Sequence, residues 1–138
     1  MIILDTNVVS ELMRAAPAEP VLLWLSRQRT TALYTTAITE AEILHGVRLL
    51  PAGKRRNAVA AAADAMFRED FAGRVLPFGS DAARAYAHIA AERRRHGRPI
   101  SHFDAQIAAI AEASGAELAT RNTGDFDRCG VKLVDPWA

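Results

Sequence analysis

The stretch IILDTN, residues 2–7, determines how the rest of this chain is interpreted. Its three apolar residues predict a short strand that is buried on both faces of a sheet. Asp5, Thr6 and Asn7 end that strand and precede a predicted helix over residues 8–13. Burying an unpaired charge costs free energy. Asp5 is therefore either an N-cap, whose side chain accepts hydrogen bonds from the first helical turn, or part of a polar site.

Strands and helices alternate along the rest of the chain. Further short strands are predicted at residues 32–35, 74–78, 117–120 and 131–134. Helices are predicted at residues 20–25, 39–50, 55–71, 80–96 and 101–114, with Thr39, Ser80 and Ser101 at three of their starts. The alternation predicts an α/β fold, a sandwich in which helices cover both faces of a short parallel sheet. Residues 1–138 are predicted to form one domain, because nothing resembles a linker or a repeat.

Length, composition and net charge limit the classes of protein to which this chain can belong. The chain has 138 residues, 50% of them hydrophobic, and a net charge of +1. Such a chain can bury a sizeable core, and its net charge does not indicate a nucleic-acid partner. The single cysteine, Cys129, excludes an internal disulfide and favours a reducing compartment. No apolar run is long enough to span a membrane or to form a signal peptide, so we expect a cytoplasmic protein with no membrane partner.

Four acids are predicted to meet at one edge of the sheet. Each follows a predicted strand or lies in the opening turn of the next helix; they are Asp5, Glu42, Asp104 and Asp125. Parallel α/β sheets bind ligands at the carboxyl ends of their strands. Carboxylates gathered there would repel one another unless a cation lay between them, and the hard ions Mg²⁺ and Mn²⁺ prefer oxygen ligands. Carboxylate-held metals commonly hydrolyse phosphodiesters.

Each acid also has an ordinary structural role open to it. Thr39 and Glu42 are three residues apart, as are Ser101 and Asp104, and this is the spacing of a helix capping box. Asp125 lies in a loop-like segment, and turns favour aspartate. Only the convergence of all four at one sheet edge favours the metal site.

Two other motifs carry less weight. Glu42 and His45 have the spacing of half a di-iron site, but one copy does not make such a site, so His45 is expected in packing or at the surface. Ser101, His102 and Asp104 contain the residue types of a hydrolase triad, but neighbours on one helical turn cannot form its hydrogen bonds.

The basic residues are almost all arginines. A run near the end of the predicted helix 80–96 can contact an RNA phosphate backbone; it comprises Arg93, Arg94 and Arg95, with Arg98 beyond. Cations near a helix C-terminus also complement its dipole, and the two roles are compatible.

Taken together, the motifs resemble a known family. The segments ILDTN (3–7), DAQIAA (104–109) and ATRNTGDF (119–126), with Glu42 at the start of a helix, occur in the order typical of PIN domains. The chain is similar to the single-domain VapC-type toxins of bacterial type II toxin–antitoxin systems. The resemblance extends to the closing residues 134–137, VDPW.

The resemblance implies a PIN-like three-layer sandwich and a Mg²⁺-dependent endoribonuclease. It also implies a homodimer that a small cognate antitoxin neutralises, with higher assemblies of the two proteins. The family's acidic catalytic site falls on Asp5, Glu42, Asp104 and Asp125. Asp5 and Asp104 are expected to hold the principal metal ion. The family's supporting polar positions match Thr6, Asn7, Thr120 and Asn122.

Three other functions stay open at this point. The acids do not distinguish RNA from DNA, so the chain could be a DNA-directed nuclease. It could be a catalytically inactive PIN scaffold that binds a partner, although the intact set of acids argues against this. A phosphatase that forms an aspartyl-phosphate also begins with a strand followed by Asp, but its usual second Asp is replaced here by Asn7.

Overall fold

The computed structural model describes residues 1–138 and contains the predicted alternation of strands and helices. The strands are β1 Ile2–Leu4, β2 Leu33–Thr36, β3 Val75–Leu76, β4 Glu117–Ala119 and β5 Leu133–Val134. The helices are α1 Thr6–Leu12, α2 Glu19–Ser26, α3 Ala37–Arg48, α4 Lys54–Ala65, α5 Ser80–Arg95 and α6 His102–Ser114. None of these helices combines the length and the apolar character that crossing a membrane requires.

All five strands join in one parallel sheet. Their order is β3-β2-β1-β4-β5, and every neighbouring pair is parallel. From β1 the chain moves outward to β2 and β3, and then crosses back to place β4 on the other side of β1. The strand order therefore reverses between β1 and β4. Ligands of open α/β sheets bind in the crevice that such a reversal opens beyond the carboxyl ends of the strands.

Two apolar cores lie on opposite faces of the sheet. Side chains alternate between faces along a strand. Ile3 accordingly packs with α5 and α6 in one buried cluster, whereas Leu4 packs with α1, α3 and α4 in another. Leu118 and Ala119 on β4 divide in the same way. The predicted parallel sheet with helices on both faces is confirmed.

The starts of two helices differ from the prediction. Thr36, rather than Thr39, is the N-cap of α3, because its hydroxyl accepts a hydrogen bond from the Thr39 amide at 3.1 Å. Glu42 thus lies in the second turn, so the capping-box role that was open to it does not apply. Gly79 precedes α5 without any side-chain cap, so Ser80 is not a cap either. The Ser101 cap of α6 is confirmed, since its hydroxyl accepts from the Asp104 amide at 3.2 Å.

The long helix predicted over residues 55–71 ends earlier. Regular α-helix stops at Ala65, and one wider π-helical turn, Met66–Asp70, follows it. Such bulges are rare in regular helices. This one buries both Met66 and Phe67, which belong to the same core as Leu4. The predicted strand 74–78 shortens to two residues at the edge of the sheet.

Candidate functional site

Asp5 is buried at the crevice between β1 and β4, with 4% of its surface exposed. One carboxylate oxygen accepts a hydrogen bond from the Thr6 amide at 2.8 Å, so Asp5 does cap α1. The other oxygen accepts from the Thr120 hydroxyl at 2.7 Å and from the Asn7 side-chain amide at 3.3 Å. Both interpretations of Asp5 are therefore compatible: it caps a helix and lies in a buried polar cluster.

The segment after β4 is tied to this cluster. The Thr120 hydroxyl accepts from the main-chain amide of Asn122 at 3.1 Å, and the Asn7 side-chain oxygen accepts from the amide of Arg121 at 3.3 Å. Asn122 thus takes part through its main chain. Thr120, Asn7 and Asp5 together hold the ends of β1 and β4 side by side.

Glu42 joins the cluster through Thr6. The Thr6 hydroxyl donates to the Glu42 carboxylate at 2.9 Å, and a second hydroxyl, that of Thr39, lies 3.1 Å from it. Because the single Thr6 proton goes to the carboxylate, Thr39 is the donor of the second bond. Thr39 was not predicted from the sequence as a site residue. Its position three residues before Glu42 places both on one face of α3, which was the available signal.

Asp104 and Asp125 lie on elements that pack in the core containing Ile3. Asp104 lies in the first turn of α6 and is partly buried, and Asp125 lies in the short 3-10 turn Thr123–Phe126 with its side chain exposed. Phe126, directly after it, is fully buried and holds this turn against α6.

Burial and the charges of neighbouring carboxylates both act on Asp5, Glu42 and Asp104. Burial, reinforced by the charges of Asp104 and Glu42, raises the pKa of Asp5 to about 6, although hydrogen bonds from Thr120 and Thr6 oppose the shift. Burial also raises the pKa of Glu42, with the charge of Asp104 adding to it. Burial raises the pKa of Asp104 and the charge of Asp125 adds to the shift, whereas the Ser101 hydrogen bond and the charge of Arg93 oppose it. Asp5, Glu42 and Asp104 therefore repel one another at this sheet edge, and Asp125 repels Asp104.

The donor set suits a hard cation, but the carboxylates are not drawn together around one. No group of three or more His, Cys, Asp or Glu side chains is arranged so that it could hold a metal ion. Carboxylate oxygens are the ligands that Mg²⁺ and Mn²⁺ prefer, and raised pKa values mean that added positive charge would be favourable here. Metal binding at this edge would require the carboxylates to come closer together, with Glu42 leaving or sharing its bond from Thr6.

We predict that Asp5 makes metal-free protein less stable as the pH rises. Its pKa is about 6 in the folded chain against an ordinary 3.8, so the unfolded chain releases the proton first and the folded state loses stability between about pH 4 and pH 6. A shift of about two pKa units corresponds to roughly 3 kcal/mol. In EDTA, the unfolding free energy of Asp5→Asn relative to wild type should therefore rise by about that amount from pH 4 to pH 7, measured by urea titration. A difference that does not change with pH would contradict the assignment.

Arg93 is not available to RNA, so this part of the predicted arginine contact is wrong. Its side chain is buried, with 4% exposed, because it points inward from α5 to main-chain carbonyls. Arg94 and Arg95 are exposed, and Arg98 forms an exposed ion pair with Asp127 at 2.7 Å. RNA contacts by these three residues stay predictions.

The two competing motifs take on ordinary structural roles. His45 is exposed on α3, as expected. The ring nitrogen Nδ1 of His102 lies 2.8 Å from the Tyr86 hydroxyl, and His102 forms no hydrogen bond with Ser101 or Asp104. The hydrolase triad is therefore absent.

The chain is similar to known proteins along almost its whole length. A family model described as PIN domain matches residues 2–132. The chain is 44% identical over 137 residues to "VapC ribonuclease Y4jK" of Sinorhizobium fredii (strain NBRC 101917 / NGR234), covering 99% of this chain and 98% of that protein. It is 41% identical over 137 residues to "Toxin FitB" of Neisseria gonorrhoeae (strain ATCC 700825 / FA 1090), covering 99% of each.

A solved structure shows the same fold. The structure of FitAB bound to an IR36 DNA fragment contains a chain that matches with a TM-score of 0.93 at 40% identity, over 100% of this chain and 96% of that one. The crossing back between β1 and β4 thus belongs to a fold already seen in a solved structure. The chain belongs to the PIN-domain family, in the group that contains the VapC and FitB toxins.

Proposed function

We propose that this protein is a Mg²⁺- or Mn²⁺-dependent endoribonuclease, the cytoplasmic toxin of a type II toxin–antitoxin pair. The observation that carries the proposal is the buried Asp5 carboxyl at the reversal of strand order, facing Glu42 and Asp104. Repulsion among these acids is unfavourable by itself and suits a bound divalent ion, although the charge of Arg93 offsets part of it at Asp104. The ribonuclease name of a relative at 44% identity supports RNA as the substrate.

Asp5 and Asp104 would hold the principal ion, and Glu42 and Asp125 would complete the cluster. A bound Mg²⁺ lowers the pKa of water and stabilises charge on a phosphodiester. The chain's own polar groups would keep the ligands oriented: Thr120 and Asn7 hold one oxygen of Asp5, and Thr6 holds Glu42. Residues that hydrogen-bond metal ligands in this way fix the ligands' direction.

The test is a substrate comparison with purified protein. RNA, single-stranded DNA and a phosphomonoester are each incubated with Mg²⁺ and, separately, with EDTA. The proposal expects cleavage of RNA alone, and only with metal. Cleavage of DNA at the same rate would identify a general nuclease, turnover of the phosphomonoester would indicate a phosphatase, and no turnover of any of them would leave a binding scaffold.

A cognate antitoxin is expected to inhibit by placing a cation in the acidic crevice. An Arg or Lys inserted near the four acids would replace the charge of the metal, and an amphipathic helix lying beside α1 and α2 would supply apolar contacts. The antitoxin is co-expressed with wild type and with a variant in which all four acids are neutralised, and Mg²⁺ is titrated against each complex. We expect weaker binding to the variant and relief of inhibition by excess Mg²⁺; equal binding and no relief would mean that inhibition acts elsewhere.

We also predict a homodimer. Val8, Val9 and Val21 on α1 and α2 are fully buried in the core, so they cannot form the interface. Leu22 and Leu23 on α2 stay exposed, at 45% and 52%, and exposed apolar patches usually mark interfaces.

Light scattering should return about twice the chain mass of 15.0 kDa at micromolar concentration. Leu23→Asp should shift the mass toward the monomer. The equally drastic change Leu49→Asp, at a residue 71% exposed near the end of α3, should not. A monomer mass for wild type would contradict the prediction.

A further inference from the structure

The buried guanidinium of Arg93 lies behind the acidic site and connects three segments. Its Nε donates to the carbonyl of Arg98 at 2.6 Å, in the connection that leads into α6. Its Nη1 donates to the carbonyls of Asp125 and Asp127 at 2.7 and 2.9 Å. One side chain on α5 thus contacts both the approach to the helix that carries Asp104 and the turn that carries Asp125.

The Asp125 segment depends on this contact for its shape. It contains only one short 3-10 turn between β4 and β5, so few of its carbonyls have partners in regular structure. Phe126 and Cys129 bury their side chains in the core and fix two points of it. Arg93 supplies hydrogen bonds to the carbonyls of residues 125 and 127, while Arg98 adds an exposed pair with Asp127 and a longer hydrogen bond, 3.4 Å, to the Gly124 carbonyl. Exposed pairs of that kind contribute little.

An arginine is suited to holding several carbonyls, and this one is too buried to contact a substrate. Its rigid fork of donors reaches several carbonyls at once, which a lysine ammonium cannot do with the same geometry. Burial to 4% exposure prevents contact with substrate. Burying a charge costs free energy unless the charged group forms hydrogen bonds. The buried guanidinium therefore favours the arrangement in which the carbonyls of this segment accept its hydrogen bonds.

We propose that Arg93 is a positioning residue: it fixes the main chain at residues 125–127 so that the Asp125 carboxylate faces Asp104 across the crevice. The inference rests on the proposed function, because the position of the Asp125 carboxylate affects activity only if the acids hold a metal. This role takes the place of the RNA contact that the run of arginines suggested for Arg93.

The experiment compares Arg93→Met and Arg93→Lys with Arg84→Met. Arg84 is exposed on the same helix, so its replacement also removes one guanidinium but leaves the contacts of residues 123–129 in place. Two quantities are measured at a temperature at which each variant is folded. They are the amide hydrogen exchange of residues 123–129 without metal, and the affinity for Mn²⁺ alone, by electron paramagnetic resonance.

We expect Arg93→Met to exchange faster in residues 123–129 and to bind Mn²⁺ about 10- to 100-fold more weakly, the usual effect of losing a group that orients a ligand. Arg93→Lys should fall between, and should carry the comparison if the Met variant does not fold. Arg84→Met should match wild type in both measurements. Adding Asp125→Asn to Arg93→Met should weaken Mn²⁺ binding no further, because both changes remove the same ligand.

Two outcomes would overturn the proposal. One is a folded Arg93 variant with wild-type Mn²⁺ affinity, whatever its hydrogen exchange. The other is a loss from Arg93→Met that adds to the loss from Asp125→Asn. Failure of the proposed function would look different: wild type would neither bind Mn²⁺ nor cleave RNA. In that case the hydrogen exchange of residues 123–129 still decides whether Arg93 holds the segment.

Discussion

Asp5→Asn is expected to reduce metal-dependent RNA cleavage by more than about 100-fold while the chain stays folded. Losing a group that merely orients a metal ligand costs about 10- to 100-fold, so losing a direct ligand should cost more. The fold should persist because an asparagine oxygen can still accept the Thr6 amide bond that caps α1. The measurement is the single-turnover rate on RNA with Mg²⁺, with circular dichroism as the check on folding.

The matched control is Asp64→Asn, at an exposed acid on α4 that pairs only with Arg68 at the surface. It should cleave at the wild-type rate. Asp104→Asn should resemble Asp5→Asn, and Asp125→Asn should keep some activity, since its side chain is the most exposed of the four. Wild-type cleavage by Asp5→Asn would mean that the site has been assigned wrongly.

Phe126→Ala should lower the free energy of unfolding by about 3–5 kcal/mol, the usual cost of removing a buried aromatic ring. Phe126 has 1% of its surface exposed and packs in the core formed with α5 and α6. Truncation would leave a cavity under the turn that carries Asp125. Urea titration measures the effect, and the slope of the transition should stay unchanged if the variant still unfolds in two states.

Phe103→Ala is the control for that prediction. The residue type and the change are identical, but Phe103 is 53% exposed at the start of α6. Its loss should alter the unfolding free energy by no more than about 0.5 kcal/mol, as is usual for surface positions. Equal destabilisation by the two variants would show that Phe126 does not fill the core as the structure places it.

The sequence predicted those features of the fold that local patterns determine. Residues 2–4 could be recognised as a buried strand because three consecutive apolar residues directly before an acid are typical of a strand that ends at a polar edge. Which threonine caps α3 was harder to predict from the sequence. Thr36 and Thr39 are both suitable N-caps, and the choice between them depends on where β2 leaves its neighbour, which is a tertiary property.

The candidate site could be predicted from the sequence to about the same extent as the fold. Asp5, Glu42, Asp104 and Asp125 could be grouped because parallel strands end at one edge. Arg93 could not be separated from Arg94 and Arg95, since three adjacent arginines look alike in sequence. What distinguishes Arg93 is a hydrogen bond to a carbonyl 32 residues later in the chain, and no local pattern reports such a contact.

The placement of β1 between β2 and β4 has a consequence for the order in which the protein is made. Asp5 leaves the ribosome well before its hydrogen-bond partner Thr120, which follows 115 positions later. A nascent chain that ends at residue 116 already contains three of the four acids, but it has no β4 to close the crevice. Because a growing chain folds progressively from its N-terminus, this edge can assemble only after β4 has been synthesised. A protein proposed to cut RNA is thus synthesised on a messenger while its own site is still unfinished.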